Sequence, residues 1–349
     1  MRSGLILLIG LVLLVSCGDP GADSSTEIAV PVSVEEVQYK PIEEFIATTG
    51  TVYAMKEATI TSETSGYYRL ANNPRTKRPF ALGDAVNRNE VVIYLDNPEY
   101  ENTTRIESQK LNLDISKSEF EKQKSLFDKG GVTFREMKNA EKTYIDAQYS
   151  YDNAVIQLAK LKITAPFEGI IIDIPYFTQG TKVAANQTML QVMNYQQLWM
   201  DVSLPGKELG RIRVGNSVRV MNYTLPDDTL KGQITQTSPA LDPNTRAFKA
   251  SLSIDNAGLL LRPGMFVKSE IIVASKDSAI VIPKDIILSK RRGKTVFIVE
   301  KGAAEERAIS TGLENPEFVE VTEGLKVDER LVIKGFETLR NRSKVKIIR

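Results

Sequence analysis

Residues 137–172 read MKNAEKTYIDAQYSYDNAVIQLAKLKITAPFEGIII, and the change of pattern inside this stretch decides the fold. Met137, Ala140, Tyr144, Ala147, Tyr151, Ala154, Leu158 and Leu161 alternate spacings of three and four, the heptad pattern of a helix with one apolar seam. One seam position is alanine until Leu161 and the other is large, so a partner helix can approach closely. The pattern stops at Pro166, which cannot continue a helix, and Gly169 permits a turn into Ile170-Ile171-Ile172, a strand.

Working outward, residues 99–161 contain no proline and one glycine pair, Gly130-Gly131, almost midway. This is the profile of two long helices joined by a tight turn. The first offers Ile106, Leu113, Phe120 and Phe127 seven apart, with Gln109, Ser116 and Gln123 at its other seam position. Thr133 and Glu136 form a T-x-x-E capping box that opens the second helix, and the glycines supply the positive φ that ends the first. Seam pairing places Ala147 opposite Phe120. Helices of about 28 residues would project ~40 Å, longer than a small domain needs for its own core. Residues 28–98 and those from Pro166 onward are strand-like, with β-branched runs punctuated by glycine and proline.

Composition excludes whole classes of chemistry. The 349 residues include no histidine and a single cysteine, Cys17, and the formal charge is +1. Ser-His-Asp systems, Cys-His nucleophiles and histidine-containing metal sites are therefore absent, and no basic field suggests nucleic acid. Paired carboxylates could still support hydrolysis, but no acidic motif of familiar spacing occurs among the 44 Asp and Glu residues. The expectation is a protein without catalytic, cofactor or metal residues. Met189 and Met193 are the best pair of soft ligands and lie in a strand-like stretch better read as core.

At the start, Met1-Arg2 precedes an apolar run from Leu5 to Val15, too short for a ~30 Å hydrocarbon core but suited to a signal peptide. Leu14-Val15-Ser16-Cys17 resembles a bacterial lipobox, which implies cleavage before Cys17 and lipid attachment to its sulfur. Loss of residues 1–16 removes only Arg2, leaving 44 basic against 44 acidic side chains. Asp19 to Thr26, small, polar and acidic, reads as a flexible tether.

Several strings around the hairpin resemble the periplasmic adaptors, or membrane fusion proteins, of resistance-nodulation-division efflux pumps. Ser65-Gly66-Tyr67, Leu82-Gly83-Asp84-Ala85-Val86 and Leu95-Asp96 resemble the first half of that family's split lipoyl-like sandwich. Thr164-Ala165-Pro166-Phe167-Glu168-Gly169 and Gly180-Thr181-Lys182-Val183 resemble the second half. Asp242-Pro243-Asn244-Thr245-Arg246 and Leu261-Arg262-Pro263-Gly264-Met265-Phe266-Val267 resemble its β-barrel, and Val281-Ile282-Pro283 with Val319 to Leu325 its membrane-proximal domain. The implied fold is mainly β with a long α-helical hairpin. It comprises a leader (1–16), a lipid-anchored tether (17–27), a membrane-proximal β domain (28–49 and 276–349), a split lipoyl-like sandwich (50–98 and 162–193), a coiled-coil hairpin (99–161) and a β-barrel (194–275). Residues 72–80 are a departure, a polar insertion expected as a surface loop.

The resemblance also implies a role. The chain would sit in the periplasm, anchored through acylated Cys17 to the inner membrane of a Gram-negative bacterium. As a homo-oligomer, a hexameric ring by the family's rule, it would link an inner-membrane efflux transporter to an outer-membrane channel. At the tip, Lys122, Leu126 and Thr133 match the intervals of the family's R-x3-L-x6-S docking pattern, with Lys for Arg and Thr for Ser. Capping alone explains Thr133, and packing alone explains Leu126. The alternatives are an adaptor for an ATP-driven exporter and, from a different class, a lipid-anchored periplasmic binding protein, which would need a ligand pocket.

Overall fold

The computed structural model describes residues 29–223, 225–291 and 293–348. The chain divides into two compact units, one formed by residues up to Glu44 and from Ala274 on, the other by Phe45–Val273. The fold is mainly β with one long helical hairpin, and the hairpin belongs to the second unit.

Within Phe45–Val273, one sheet runs Lys162–Thr164, Val91–Asp96, Gly66–Leu70, Lys182–Val183 in spatial order. Two strands from before the hairpin therefore lie between two from after it in one sheet. Val91–Asp96 pairs with Lys162–Thr164 on one side (Ile93↔Ile163), and Gly66 pairs with Val183 on the other. Facing this sheet, Gly169–Asp173 and Tyr53–Thr61 pair with the long strand Thr188–Pro205, and Ala85–Val86 pairs with Gly169–Asp173. Tyr68, Val86, Ile93, Leu95, Ile163, Ile171 and Leu190 pack into one buried cluster, so neither half has a core without the other. The result is a split sandwich.

The same long strand continues into barrel pairing. Its residues 197–205 pair with Ala247–Asp255, which pairs in turn with Leu225–Thr237 and then Ser217–Asn222. Leu198, Met200, Val202 and Leu204, with Phe248, Ala250, Leu252 and Ile254, follow the two-residue period of strands with one face inward, and all are buried together.

In the other unit, Val30–Glu36 pairs antiparallel with Arg330–Lys334 and parallel with Val345–Ile347, which ties the early chain to the last strands. Gly293–Glu300 pairs with Ala303–Glu314. Val37, Ile282, Val296, Ile298, Val319 and Leu331 form its main core. Glu320, 5 % exposed, accepts from Lys276 at 2.5 Å and from the Leu313 N–H at 2.9 Å, so this buried carboxylate is paired.

The hairpin departs from expectation in one arm. Instead of a single first helix there are two, α1 (Pro98–Thr104) and α2 (Ile106–Asp128), separated by Arg105 in the left-handed region (φ 48°, ψ 42°). Asn97 caps α1, accepting from the Tyr100 N–H at 3.0 Å, and Pro98 occupies the first helical position. The hydroxyls of Thr103 and Thr104 donate to the carbonyls of Glu99 and Tyr100, the back-bonding that bends helices at such residues. The second arm, α3 (Phe134–Ala159), is unbroken over 26 residues, about 40 Å.

The loop at residues 72–80 is less free than its composition suggests. Asn73 and Phe80 are each 2 % exposed, and an isolated bridge joins Asn72 to Pro79. Arg78 donates two hydrogen bonds to Asp84 (2.7 and 3.2 Å), while Arg75 reaches Glu90 at 3.1 Å. The segment is a surface turn pinned at two points: Asn73 and Phe80 are buried, while Asn72 and residues 74–79 are exposed.

Candidate functional site, the hairpin tip

The inward residues of α3 include Met137, Ala147 and Ala154, and on α2 Ser116 is buried. Phe120 stacks on Tyr144 with centroids 5.9 Å apart and planes 6° from parallel. Its ring partner is thus Tyr144, one turn nearer the tip than the Ala147 that the spacing suggests. The large ring needs a flat neighbour, and Ala147, 3 % exposed, lies at the seam where the helices come close.

At the tip, Gly130 adopts φ +76°, and the Gly130 and Gly131 N–H groups donate to the carbonyls of Phe127 and Leu126 at 2.9 and 2.8 Å. The end of α2 is thereby closed without side chains. Thr133 opens α3 with a full capping box. Its hydroxyl accepts from the Glu136 N–H at 3.2 Å, and the Glu136 carboxylate accepts from the Thr133 N–H at 2.8 Å. The Thr133 backbone and then its hydroxyl hold the Glu136 carboxyl below the usual carboxylate range.

All three expected docking residues belong to this end, but they do not form one cluster. Lys122 is exposed and pairs along its own helix with Glu119 at 3.7 Å. Leu126 is half-buried and packs beneath the turn, its side chain 3.7 Å from where a Cβ on Gly131 would stand. Thr133 is exposed and engaged in capping. A residue that spacing alone overlooked stands beside them. Phe134 is 58 % exposed, tilted against Phe127 at 5.9 Å, with the Lys138 ammonium 5.6 Å from its ring centre. It falls one position off the seam, which is the signal that it turns outward. The tip therefore presents an aromatic ring, a half-buried leucine and cations, a surface suited to protein contact.

Cys17, the expected lipid site, lies outside the described residues, with the leader and tether. Among the described residues no helix is long and apolar enough to cross a membrane, and no group of three or more acidic or thiol side chains could hold a metal ion. A cleft of about 620 Å³ opens at the base of the hairpin, where the first arm is broken. Arg69, Arg105 and Lys162 on its wall are balanced by Asp96, Glu101 and Glu107, and Arg69 is tied bidentately to Asp96 at 2.7 and 2.9 Å. The cleft offers no net charge to a ligand.

Comparison with known proteins accounts for this architecture. Residues 197–275 match the family model described as CusB-like, beta-barrel domain, and residues 279–347 that described as YknX, C-terminal permuted SH3-like domain. The toluene efflux pump periplasmic linker protein TtgA of Pseudomonas putida is 26 % identical over 315 residues, covering 83 % of this chain and 81 % of that protein. Along most of its length the chain is thus similar to an efflux-pump periplasmic linker. The cobalt-zinc-cadmium resistance protein CzcB of Cupriavidus metallidurans is 22 % identical over 230 residues, 62 % of this chain. The match spans less than half of that relative, 44 % of its length. A crystal structure of a MacA-MexA chimera carrying the Pseudomonas aeruginosa MexA α-hairpin shares the fold, with TM-score 0.55, 21 % identity, and coverage of 86 % of this chain and all of the other.

Proposed function

We propose that this chain is a membrane fusion protein, a non-catalytic periplasmic adaptor that joins an inner-membrane efflux transporter of the resistance-nodulation-division class to an outer-membrane channel, in the export of small molecules. The observation that carries the proposal is the hairpin, which leaves the sandwich for about 40 Å and ends in an exposed Phe134 beside Leu126 and Lys122. An element of this length does not serve the sandwich core, whose cluster takes only Leu158, Leu161 and Tyr100 from that end. The similarity to TtgA, an efflux pump periplasmic linker, supports the same reading. On this reading Cys17 carries the lipid that holds the chain at the inner membrane, several copies assemble around the exit path, and Lys122, Leu126 and Thr133 meet the channel. Energy comes from the transporter.

The test is drug susceptibility of cells carrying Leu126→Ser, with protein level and cross-linking from position 122 to the channel measured alongside. Because Leu126 is half-buried at a helix end, the variant should stay folded and abundant while export and cross-linking fail. Wild-type resistance with intact cross-linking would reduce the tip pattern to capping and packing. Radioactive fatty acid should label the wild type and not Cys17→Ala.

A further inference from the structure

Residues 340–346 read RNRSKVK, four basic side chains and no acid. The fold gathers them where the chain coming from Cys17 enters its first strand. The Val30 N–H donates to the Lys344 carbonyl at 2.9 Å, and Val30–Glu36 then runs parallel to Val345–Ile347, with Pro31 beside Lys346. The turn at Lys301-Gly302 closes the same end. The Val345 N–H donates to the Gly302 carbonyl at 3.1 Å, and the Arg342 N–H to the Ala304 carbonyl at 2.7 Å. Residues 18–29, which separate Cys17 from Val30, can span no more than ~45 Å even when fully extended. This end therefore stays within reach of whatever Cys17 carries.

Val345 turns inward onto the cluster of Val32 and Phe297, so the alternation of the strand turns Lys344 and Lys346 outward. Both are exposed, as are Arg340 and Arg342. Arg340, Arg342 and Lys346 make no ion pair among the described residues. The acids close to them in the fold are already engaged: Glu300 with Lys301 at 3.9 Å, Glu305 with Arg307 at 3.1 Å, and Glu306 with Lys290. Glu337 is the one acid in residues 335–348. Directly after the cations come Ile347 and Ile348, 40 % and 46 % exposed.

Surplus cations and bare isoleucines at one end ask for a partner that takes both. The acids before the first strand, Asp19, Asp23 and Glu27, would meet the charge, but the small residues around them offer nothing to cover isoleucine. A bilayer interface with anionic headgroups meets both needs: phosphates attract Arg and Lys, and apolar side chains enter the boundary with the acyl chains. We propose that this end of the unit docks on a bilayer surface containing anionic phospholipid. The lipid on Cys17 would set how far the unit strays from the membrane, and the basic patch would set which way it faces. The inference takes from the reading above only that the chain stands at a membrane. Each basic side chain close to an anionic surface strengthens binding about fivefold.

The test uses the full-length chain, purified with its lipid, on vesicles of brominated phosphatidylcholine with or without phosphatidylglycerol. Flotation reads attachment, and quenching of tryptophan fluorescence by bromine reads contact of the patch with the bilayer. Wild type, whose one tryptophan is Trp199, sets the background, and Ile348→Trp places a reporter beside the cations. Quenching of Ile348→Trp should rise severalfold above background on vesicles with phosphatidylglycerol and stay near background without it. It should vanish in 1 M salt, where the Debye length is about 3 Å, and when Arg342→Glu and Lys346→Glu are added. Should those added changes unfold the unit, the salt dependence carries the test alone. Flotation on both vesicles with equal quenching would overturn the inference and leave the Cys17 anchor standing. The same holds if quenching appears only in native membranes, which would make the partner a protein. Flotation only with phosphatidylglycerol, reversed by salt, would remove the anchor and uphold the patch.

Discussion

Gly169 is the residue on which the second half of the sandwich turns, and replacing it with alanine gives the sharpest stability test. A Cβ built there would sit 2.6 Å from the Met193 carbonyl oxygen and 2.9 Å from the Val192 Cγ1. Comfortable contacts need about 3.5 Å, so the strand would have to give way by nearly ~1 Å. It is poorly placed to do so, because Met193 pairs with Ile170 on one side and Glu57 on the other. Overpacking of this kind costs about 1–3 kcal/mol, and the rigid neighbour puts Gly169→Ala at the upper end, about 2–3 kcal/mol. Trp199, the only tryptophan, lies on the same strand as Met193, with its indole N–H donating to the Ala54 carbonyl at 3.0 Å and its ring stacked on Tyr53 at 4.9 Å. Its fluorescence therefore follows this unit through a urea titration. With a slope of about 2–3 kcal/mol/M, the midpoint should fall by about 1 M. A midpoint and slope equal to wild type would refute the close approach. Gly180→Ala is the contrast, because nothing stands within 4 Å of its Cβ and only its φ of +83° opposes the change; its loss should be nearer ~1 kcal/mol.

Ala147→Glu would drive a carboxylate into the closed seam, at a cost of about 3 kcal/mol or more. Amide hydrogen exchange along α2 and α3 should accelerate while the sandwich strands stay protected, and unchanged exchange would mean that Ala147 does not pack there. Acid should find Asp84. Its burial pushes the carboxyl up, but hydrogen bonds from Asn73, the Ala81 N–H and Arg78 outweigh that and hold it below the usual range. A carboxyl lowered in the folded state stabilises above its unfolded value, near ~3.9, and that stabilisation is lost as pH falls through the folded value. Asp84→Asn should therefore be less stable than wild type at neutral pH and lose less on acidification; equal acid losses in the two proteins would remove Asp84 from the account.

The spacing of Met137, Ala147 and Ala154 was enough to pick out residues that turn inward, because a helix imposes its period on any face it buries. The interruption of the sandwich was legible for a similar reason: Pro166 cannot continue a helix, and Gly169 admits a backbone approach that a side chain would block. The break at Arg105 had no such mark. No glycine or proline announces it, and an arginine stands in the left-handed region between α1 and α2. The pinned loop was hidden too, since Asn73 and Phe80 are buried by Asp84 and the sandwich, partners that polar composition does not reveal. At the tip, the capping box could be read directly from Thr133 and Glu136. The weight of Phe134 could not, because its exposure depends on the angle at which α3 begins.

The place of the hairpin in the sheet has a consequence for how the protein reaches its fold. Val91–Asp96 and Lys162–Thr164 are neighbours in one sheet although about 65 residues lie between them. Closing an unstructured loop of that size costs about 4 kcal/mol of chain entropy, by (3/2)RT ln n. α2 and α3 are joined by a short turn and make mostly local contacts, the kind that form in microseconds. Once they zip together, residues 96 and 162 arrive side by side and the sheet can pair across the gap with most of that entropy already spent. The element that reaches outward is thus also the clasp that brings the two halves of its own foundation together, and slowing the hairpin should slow the sandwich.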